Sequence, residues 1–141
     1  MHKIAIVDKM HQDGISLLKN HPNFEIEIIE DLSKKNLISK LPNFEGITLR
    51  RGKIDKEILD KCKKLKVISR HGVGYDNVDI KCLKDKKITL LIAGTTTSTS
   101  PAEHIMFMIL NISKSFNLFD KSVRNGKFEE AMHAKHKGFE L

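Results

Sequence analysis

Short apolar runs alternate along the chain with stretches in which apolar residues recur at helical spacing. The runs predict five strands, at residues 3–7, 24–29, 46–49, 65–69 and 88–92. The stretches between them predict helices at residues 13–20, 34–41, 56–63 and 80–85. Strict alternation of strands and helices is typical of an α/β domain with a parallel sheet covered on both faces. For five such strands we expect the flavodoxin-like order 2-1-3-4-5.

A different pattern follows the fifth strand. Residues 94–100 form a hydroxyl-rich loop, and residues 100–103 have the sequence Ser-Pro-Ala-Glu of a capping box with proline at the first helical position. The predicted helix is apolar almost all round over residues 105–112 and ends at Asn125-Gly126. A helix without a polar face needs cover on every side, so we expect a second domain or a second subunit against it.

The loop after the fourth strand carries the clearest chemical signal. Its sequence is Arg70-His71-Gly72-Val73-Gly74-Tyr75-Asp76-Asn77-Val78-Asp79. The two glycines allow a positive φ and a close approach of the backbone to a ligand, and successive N–H groups in such a turn form an anion site. Asp79 is placed to cap a helix that begins near Ile80. On the glycines alone, a strand-to-helix turn without a ligand is an equally good interpretation.

Further polar residues follow the other predicted strands. The strand ends are Asp8-Lys9, Arg50-Arg51-Gly52, the glycine loop and Ala93-Gly94-Thr95. In open parallel sheets ligands bind beyond the carboxyl ends of the strands. We therefore predict a site for a small anionic ligand, a carboxylate or a phosphate, at this edge of the sheet.

Composition bounds the class of protein. With 40% hydrophobic and 30% charged residues, the 141-residue chain is expected to be a globular protein of one domain and part of another. The net charge of +7 comes mainly from lysines without interleaved aromatic residues, which indicates a solvated surface and no nucleic-acid partner. No apolar run approaches the ~20 residues of a membrane span, and no signal peptide is evident. A cytoplasmic chain with reduced Cys62 and Cys82 is the expectation.

A metal site is the weaker alternative among the candidate sites. His133-x-x-His136, with Glu129 and Glu130 nearby, has some of the residue types that bind metals. No cysteine or carboxylate at reliable ligand spacing completes the set, so no metal is predicted.

The ten-residue loop resembles the Arg-x-Gly-x-Gly-x-Asp-Asn-Val-Asp segment of the D-isomer-specific 2-hydroxyacid dehydrogenases, a group that includes phosphoglycerate, glyoxylate and hydroxypyruvate reductases. Residues 100–104 are similar to the family's Ser-Val-Ala-Glu-His, with Pro101 in place of valine. Residues 44–50 resemble a family strand that ends in arginine, but Arg51 replaces the usual serine or threonine. The resemblance implies a flavodoxin-like substrate-binding domain at residues 1–100. It implies a hinge helix and the start of a nucleotide-binding domain at residues 101–141.

The function implied by this resemblance is hydride transfer between nicotinamide, of NAD or possibly NADP, and C2 of a small anionic 2-hydroxy or 2-keto acid. The implied substrate-binding residues are Arg50, His71, Gly72, Val73 and Gly74, the last four mainly through backbone N–H groups. The implied cofactor contacts are Val73 and Thr97. A homodimer through residues 101–125 of the full-length enzyme is also implied.

Several family elements have no counterpart in this sequence. Gly72-x-Gly74 lacks a third glycine three residues on, and no Gly-x-Gly-x-x-Gly fingerprint occurs. The family's catalytic arginine and its glutamate–histidine pair match no residue. We therefore expect a chain truncated before the dinucleotide fingerprint, with no catalytic residue of its own and no activity alone.

Two alternatives stay open from the sequence. One is a non-enzymatic flavodoxin-like binding or regulatory module, such as a phosphoacceptor receiver. Asp8 suits a receiver, but Arg50 and Gly94 occupy the places of its other aspartate and its lysine. The other alternative is a remnant that dimerises with a full-length enzyme.

Overall fold

The computed structural model describes residues 1–95, 97–133 and 138–141. These residues form two compact units, Met1–Thr95 and Thr96–Leu141. Each unit is described by itself. The functions predicted for residues 1–100 and 101–141 stay predictions. None of the described helices is long and apolar enough to span a bilayer.

The first unit is an open parallel sheet with helices between its strands. Its strands are β1 (His2–Val7), β2 (Phe24–Ile29), β3 (Gly46–Leu49), β4 (Val67–Arg70) and β5 (Thr89–Ile92). Its helices are α1 (Gln12–Lys19), α2 (Lys34–Lys40), α3 (Lys56–Lys61) and α4 (Ile80–Lys86), with a 3-10 turn at Leu41–Asn43. The strand order is β2-β1-β3-β4-β5, with every neighbouring pair parallel. The predicted α/β class and the flavodoxin-like order are confirmed.

Alternate strand residues form the main core. Val7, Leu49 and Ile68 are at most 1% exposed and belong to the largest apolar cluster. Leu37 of α2 and Ile58 of α3 close this cluster from the helical side. The core thus fixes the three central strands, and their parallel directions place all their carboxyl ends on one edge.

Helix α4 begins where the sequence predicts it. The Asp79 carboxylate accepts a hydrogen bond from the Cys82 N–H at 2.9 Å, which satisfies an amide of the first turn. This cap sets the length of the loop between β4 and α4, which carries the glycines.

The second unit contains α5 (Thr99–Ser113), α6 (Phe116–Arg124) and α7 (Phe128–Met132). The capping box predicted at Ser100 is wrong, because α5 begins at Thr99 and Ser98 is its N-cap residue. Pro101 is therefore the third residue of the helix, within its first turn. The position is tolerated because the first N–H groups of a helix have no intrahelical partner.

The single helix predicted up to Asn125-Gly126 is instead two helices. Ser113 donates its hydroxyl to the carbonyl of Leu110 at 3.1 Å, a bond that bends helices. The Ser113 carbonyl accepts the N–H of Phe139 at 2.8 Å and is thereby withdrawn from the helical ladder. The predicted end is confirmed, with Asn125 as the C-cap of α6 and Gly126 at φ +70°.

Candidate functional site

The loop after β4 bends through one glycine. Gly72 has φ +140°, a backbone conformation that residues with a Cβ rarely adopt. Gly74 has no positive φ, so only the first of the two predicted glycines uses this freedom. Residues 73–76, which follow this turn, are exposed.

Two of the four predicted amide donors are already used inside the protein. The N–H of His71 donates to the Leu49 carbonyl at 2.7 Å, and that of Gly72 donates to the Arg70 carbonyl at 3.0 Å. The described residues offer no acceptor for the N–H of Val73 or Gly74. Of the four amides predicted to bind an anion at residues 71–74, only those of Val73 and Gly74 are therefore open to one.

Arg70 braces the loop from the end of β4. Its Nη1 donates to the His71 carbonyl at 2.7 Å, and its Nε donates to Oδ1 of Asn77 at 3.1 Å. The guanidinium therefore connects the beginning of the loop with its end. No separate role of Arg70 is evident from the sequence; its place at the head of the ten-residue motif is the signal that could have indicated one.

Asn77 joins this loop to the one after β3. Its Nδ2 donates to the Gly52 carbonyl at 2.7 Å, and its own carbonyl accepts the Ile54 N–H at 2.9 Å. Ile54 and Val78 form an isolated parallel bridge beside these bonds. The two loops that follow the central strands are thereby held together.

A shallow cationic pocket of about 510 Å³ lies between these two loops. Its charged lining residues are Arg50, Arg51, Lys53, Arg70 and Asp76. Arg50 and Lys53 are exposed, and the described part of the chain supplies no acceptor for either side chain. Two of the pocket's positive charges are therefore available to an anion.

Arg51 is held from behind by Asp8. The Asp8 carboxylate, on a residue only 4% exposed, accepts Nε of Arg51 at 2.7 Å and Nη2 at 3.0 Å. These hydrogen bonds and the guanidinium charge hold the pKa of Asp8 well below its usual value, although burial opposes them. The charge of Arg51 is thus partly neutralised by a buried partner.

The remaining predicted contacts are less constrained. Val73 exposes 47% of its surface in the glycine loop. Thr97 belongs to the second unit and is exposed. Their proposed contacts with a cofactor stay predictions.

The two cysteines and the histidine pair add no further site. Cys62 and Cys82 are buried; burial raises the pKa of the Cys62 thiol to about 11 and raises that of Cys82 as well. Both thiols are thus protonated near neutral pH. His136 lies outside the described residues, and within the described ranges no three His, Cys, Asp or Glu residues could hold a metal ion.

Known proteins are similar to this chain in sequence and in fold. Residues 4–137 match the family model of the D-isomer specific 2-hydroxyacid dehydrogenase, catalytic domain. Over its whole length the chain is 32% identical to a D-3-phosphoglycerate dehydrogenase of Methanocaldococcus jannaschii, of which it covers 26%.

Two solved structures extend the comparison to three dimensions. A protein from Pyrococcus horikoshii OT3 superposes with a TM-score of 0.83 at 28% identity, over 97% of this chain and 42% of that one. The NAD+-bound 3-phosphoglycerate dehydrogenase of Entamoeba histolytica gives 0.71 at 25% identity, over 99% of this chain and 43% of that one. The chain spans less than half the length of each of these three proteins.

Proposed function

The chain belongs to the family of D-isomer specific 2-hydroxyacid dehydrogenases, and we propose that it forms the substrate-binding part of an enzyme that interconverts 2-hydroxy and 2-keto acids with NAD or NADP. The family resemblance inferred from the sequence motifs is confirmed by the family match. One structural observation carries the proposal of a substrate site: the free amides of Val73 and Gly74 lie in an exposed loop at the carboxyl edge of the sheet.

The substrate carboxylate is the group that this chain would bind. Two successive N–H groups can each donate a hydrogen bond to one oxygen of a carboxylate, and such charge-assisted bonds are each worth about 1.5–3 kcal/mol. Arg50 adds a positive charge from the neighbouring loop. Arg70 and Asn77 fix the loop before the ligand arrives, which lowers the ordering cost of binding.

Val73 fits one part of a nicotinamide cofactor, because its exposed apolar side chain suits the face of a nicotinamide ring. The cofactor contact of Thr97, which belongs to the second unit, stays a prediction. When bound, the nicotinamide would exchange a hydride with C2 of the acid. This chain's own part is to hold the acid by its carboxylate, so that C2 keeps a fixed position and orientation.

Binding of D-glycerate, a small 2-hydroxy acid, tests the substrate site. We expect saturable shifts of the Val73 and Gly74 amide signals on titration of the ¹⁵N-labelled chain. Gly72→Ala forces a Cβ into φ +140° and should lower the affinity about tenfold, as expected from displacing charge-assisted bonds. Gly126→Ala is the matched control, because it also has a positive φ (+70°) but lies outside the loop. No saturable shift in the wild type, or an equal loss in both variants, would contradict the proposal.

Turnover is a separate question from binding. The sequence contains no Gly-x-Gly-x-x-Gly cradle for a pyrophosphate and no match to the family's catalytic arginine or glutamate–histidine pair. We therefore expect residues 1–141 alone to reduce no NAD+ with any 2-hydroxy acid, measured as absorbance at the nicotinamide band. Sustained, enzyme-dependent reduction would show that this expectation is wrong.

We also propose that α5 and α6 associate with a second copy of the chain. The support is the exposure of large apolar side chains on both helices, including Ile105 at 57%, Ile112 at 70% and Phe116 at 53%. A patch of this kind marks an interaction surface, and closed two-fold dimers are the commonest oligomers.

A further inference from the structure

We infer that Asp8 positions Arg51 to bind a second anionic group of the substrate, which makes Arg51 a specificity-determining residue of this chain. The inference rests on the proposed function, because it assumes that an acid binds beside the cationic pocket. It concerns Arg51, which follows Arg50 directly after β3.

The geometry of the pair leaves part of the guanidinium free. Asp8 accepts one N–H from Nε and one from Nη2 of Arg51. A guanidinium has five N–H donors in a plane, so the two on Nη1 and the second on Nη2 stay available. The Arg51 side chain is 68% exposed and lines the pocket that Arg50 and Lys53 also line. A second anion in that pocket can therefore bond to it without breaking the contact with Asp8.

Backbone contacts fix Asp8 in the place from which its carboxylate contacts Arg51. Its φ of +74° is uncommon for a residue with a side chain, and its N–H donates to the Ile29 carbonyl at 3.0 Å. The backbone of Asp8 is thus fixed at the end of β1, and its carboxylate holds the guanidinium through two hydrogen bonds. A long flexible side chain that is already ordered loses less entropy when an anion binds.

The charges of the pocket agree with a ligand that carries more than one negative group. Arg50, Arg51, Lys53 and Arg70 outnumber Asp76 on its lining, and Asp8 neutralises only one of them from behind. A monocarboxylate needs the loop amides and one cation. The surplus of positive charge therefore suits a substrate such as a phosphorylated 2-hydroxy acid.

Two ligands that differ in one group give the test. The dissociation constants of 3-phosphoglycerate and D-glycerate are measured by NMR titration of residues 1–141 and five variants. In the wild type, 3-phosphoglycerate should bind at least tenfold more tightly. Arg51→Ser should remove about tenfold of affinity for 3-phosphoglycerate and change that for D-glycerate less than twofold. Arg51→Lys should restore little of the lost affinity for 3-phosphoglycerate, because lysine lacks the planar fork that can bond to the Asp8 carboxylate and to an anion at once.

Asp8→Asn separates positioning from simple charge. If Asp8 orients Arg51, the variant should lower the affinity for 3-phosphoglycerate about threefold or more, although one negative charge has been removed from beside the pocket. If Asp8 merely neutralises Arg51, the same variant should tighten binding, and the inference is overturned. The double variant Asp8→Asn/Arg51→Ser leaves no unpaired buried charge, and its affinity for 3-phosphoglycerate should equal that of Arg51→Ser. This comparison keeps the test valid if a single variant folds poorly.

A distant charge variant and the wild type complete the design. Lys64→Ser removes an exposed cation that precedes β4 at the opposite edge of the sheet, and should leave both dissociation constants within twofold. Equal losses in Lys64→Ser and Arg51→Ser would reduce the role of Arg51 to net charge and overturn the inference. If D-glycerate binds at Val73 and Gly74 but 3-phosphoglycerate binds no better, the inference fails and the proposed function stands. If neither ligand binds, the proposed function fails and the inference fails with it.

Discussion

Asp8 is the residue whose energetics depend most on a single partner. A carboxylate that is 4% exposed loses its hydration, and removal of one member of such a pair leaves a charge without a partner. Asp8 therefore stays ionised inside the fold because Arg51 donates two hydrogen bonds to it. The same pair sets both the stability of the strand end and the charge of the pocket.

The stability of the chain should depend on pH through Asp8. Arg51 lowers the pKa of Asp8 in the folded chain, so below about pH 4 the unfolded chain takes up a proton that the folded chain does not. The contribution of Asp8 is thus present above about pH 4 and is lost as the pH falls further. Asp8→Asn should cost about 1–3 kcal/mol of unfolding free energy at pH 7, and the deficit should shrink between pH 4 and 2.

Denaturant unfolding at pH 7, 4 and 3 checks this prediction. Asp13→Asn is the matched control, because the Asp13 side chain is 93% exposed in α1. Its stability difference from the wild type should be small at every pH. A deficit of Asp8→Asn that stays constant from pH 7 to pH 3 would contradict the role given to the ion pair.

At the scale of elements, the sequence pattern predicts what depends on neighbours along the chain. The strands, the cap at Asp79 and the end of α6 follow from local periodicity and capping residues. The glycine loop was also predicted, yet its free amides were not, because His71 donates to Leu49 on the neighbouring strand and Gly72 donates back to Arg70 in the same turn. The first of these bonds depends on strand register, which no local pattern contains.

The break between α5 and α6 illustrates the same limit. At this break Ser115 has φ +49°, and the Ser113 carbonyl accepts the N–H of Phe139, which is distant in sequence. Lys114 adds a bond from Nζ to the Phe139 carbonyl at 2.8 Å. A helix-favouring sequence up to residue 125 could not reveal a partner that arrives from the end of the chain.

Gly138 should be required for this contact. A Cβ at this position would lie 2.6 Å from the Ser113 carbonyl oxygen and 2.9 Å from the Cα of Lys114, both backbone atoms that cannot move aside easily. Gly138→Ala should therefore release the Phe139 amide, and its hydrogen exchange should accelerate about tenfold, which corresponds to roughly 1.4 kcal/mol of local protection. Glu140→Ala, at an exposed neighbouring position, is the control and should leave that exchange rate unchanged. Equal exchange rates in all three proteins would refute the requirement.

At the scale of the molecule, the two units differ in how completely they bury their own apolar residues. The first has a continuous core in which Leu41, Leu49 and Leu59 are at most 1% exposed. The helices of the second expose residues that would form a core elsewhere, such as Ile105 and Ile112. The pattern of α5 predicted this need for cover, but a pattern alone cannot identify the molecule that provides it.

A second copy of the chain is the occupant that we propose, and its presence can be measured directly. Light scattering after size-exclusion chromatography should give twice the monomer mass of 16.1 kDa at micromolar concentrations. Ile105 and Ile112 are seven residues apart and share one face of α5. Ile105→Glu/Ile112→Glu places two charges on that face and should give a monomer with an unchanged first unit. Ile28→Glu, an exposed apolar position on β2, is the matched control and should stay dimeric. A wild-type monomer at 100 µM, on the order of a hundred times a micromolar dissociation constant, would refute self-association through α5.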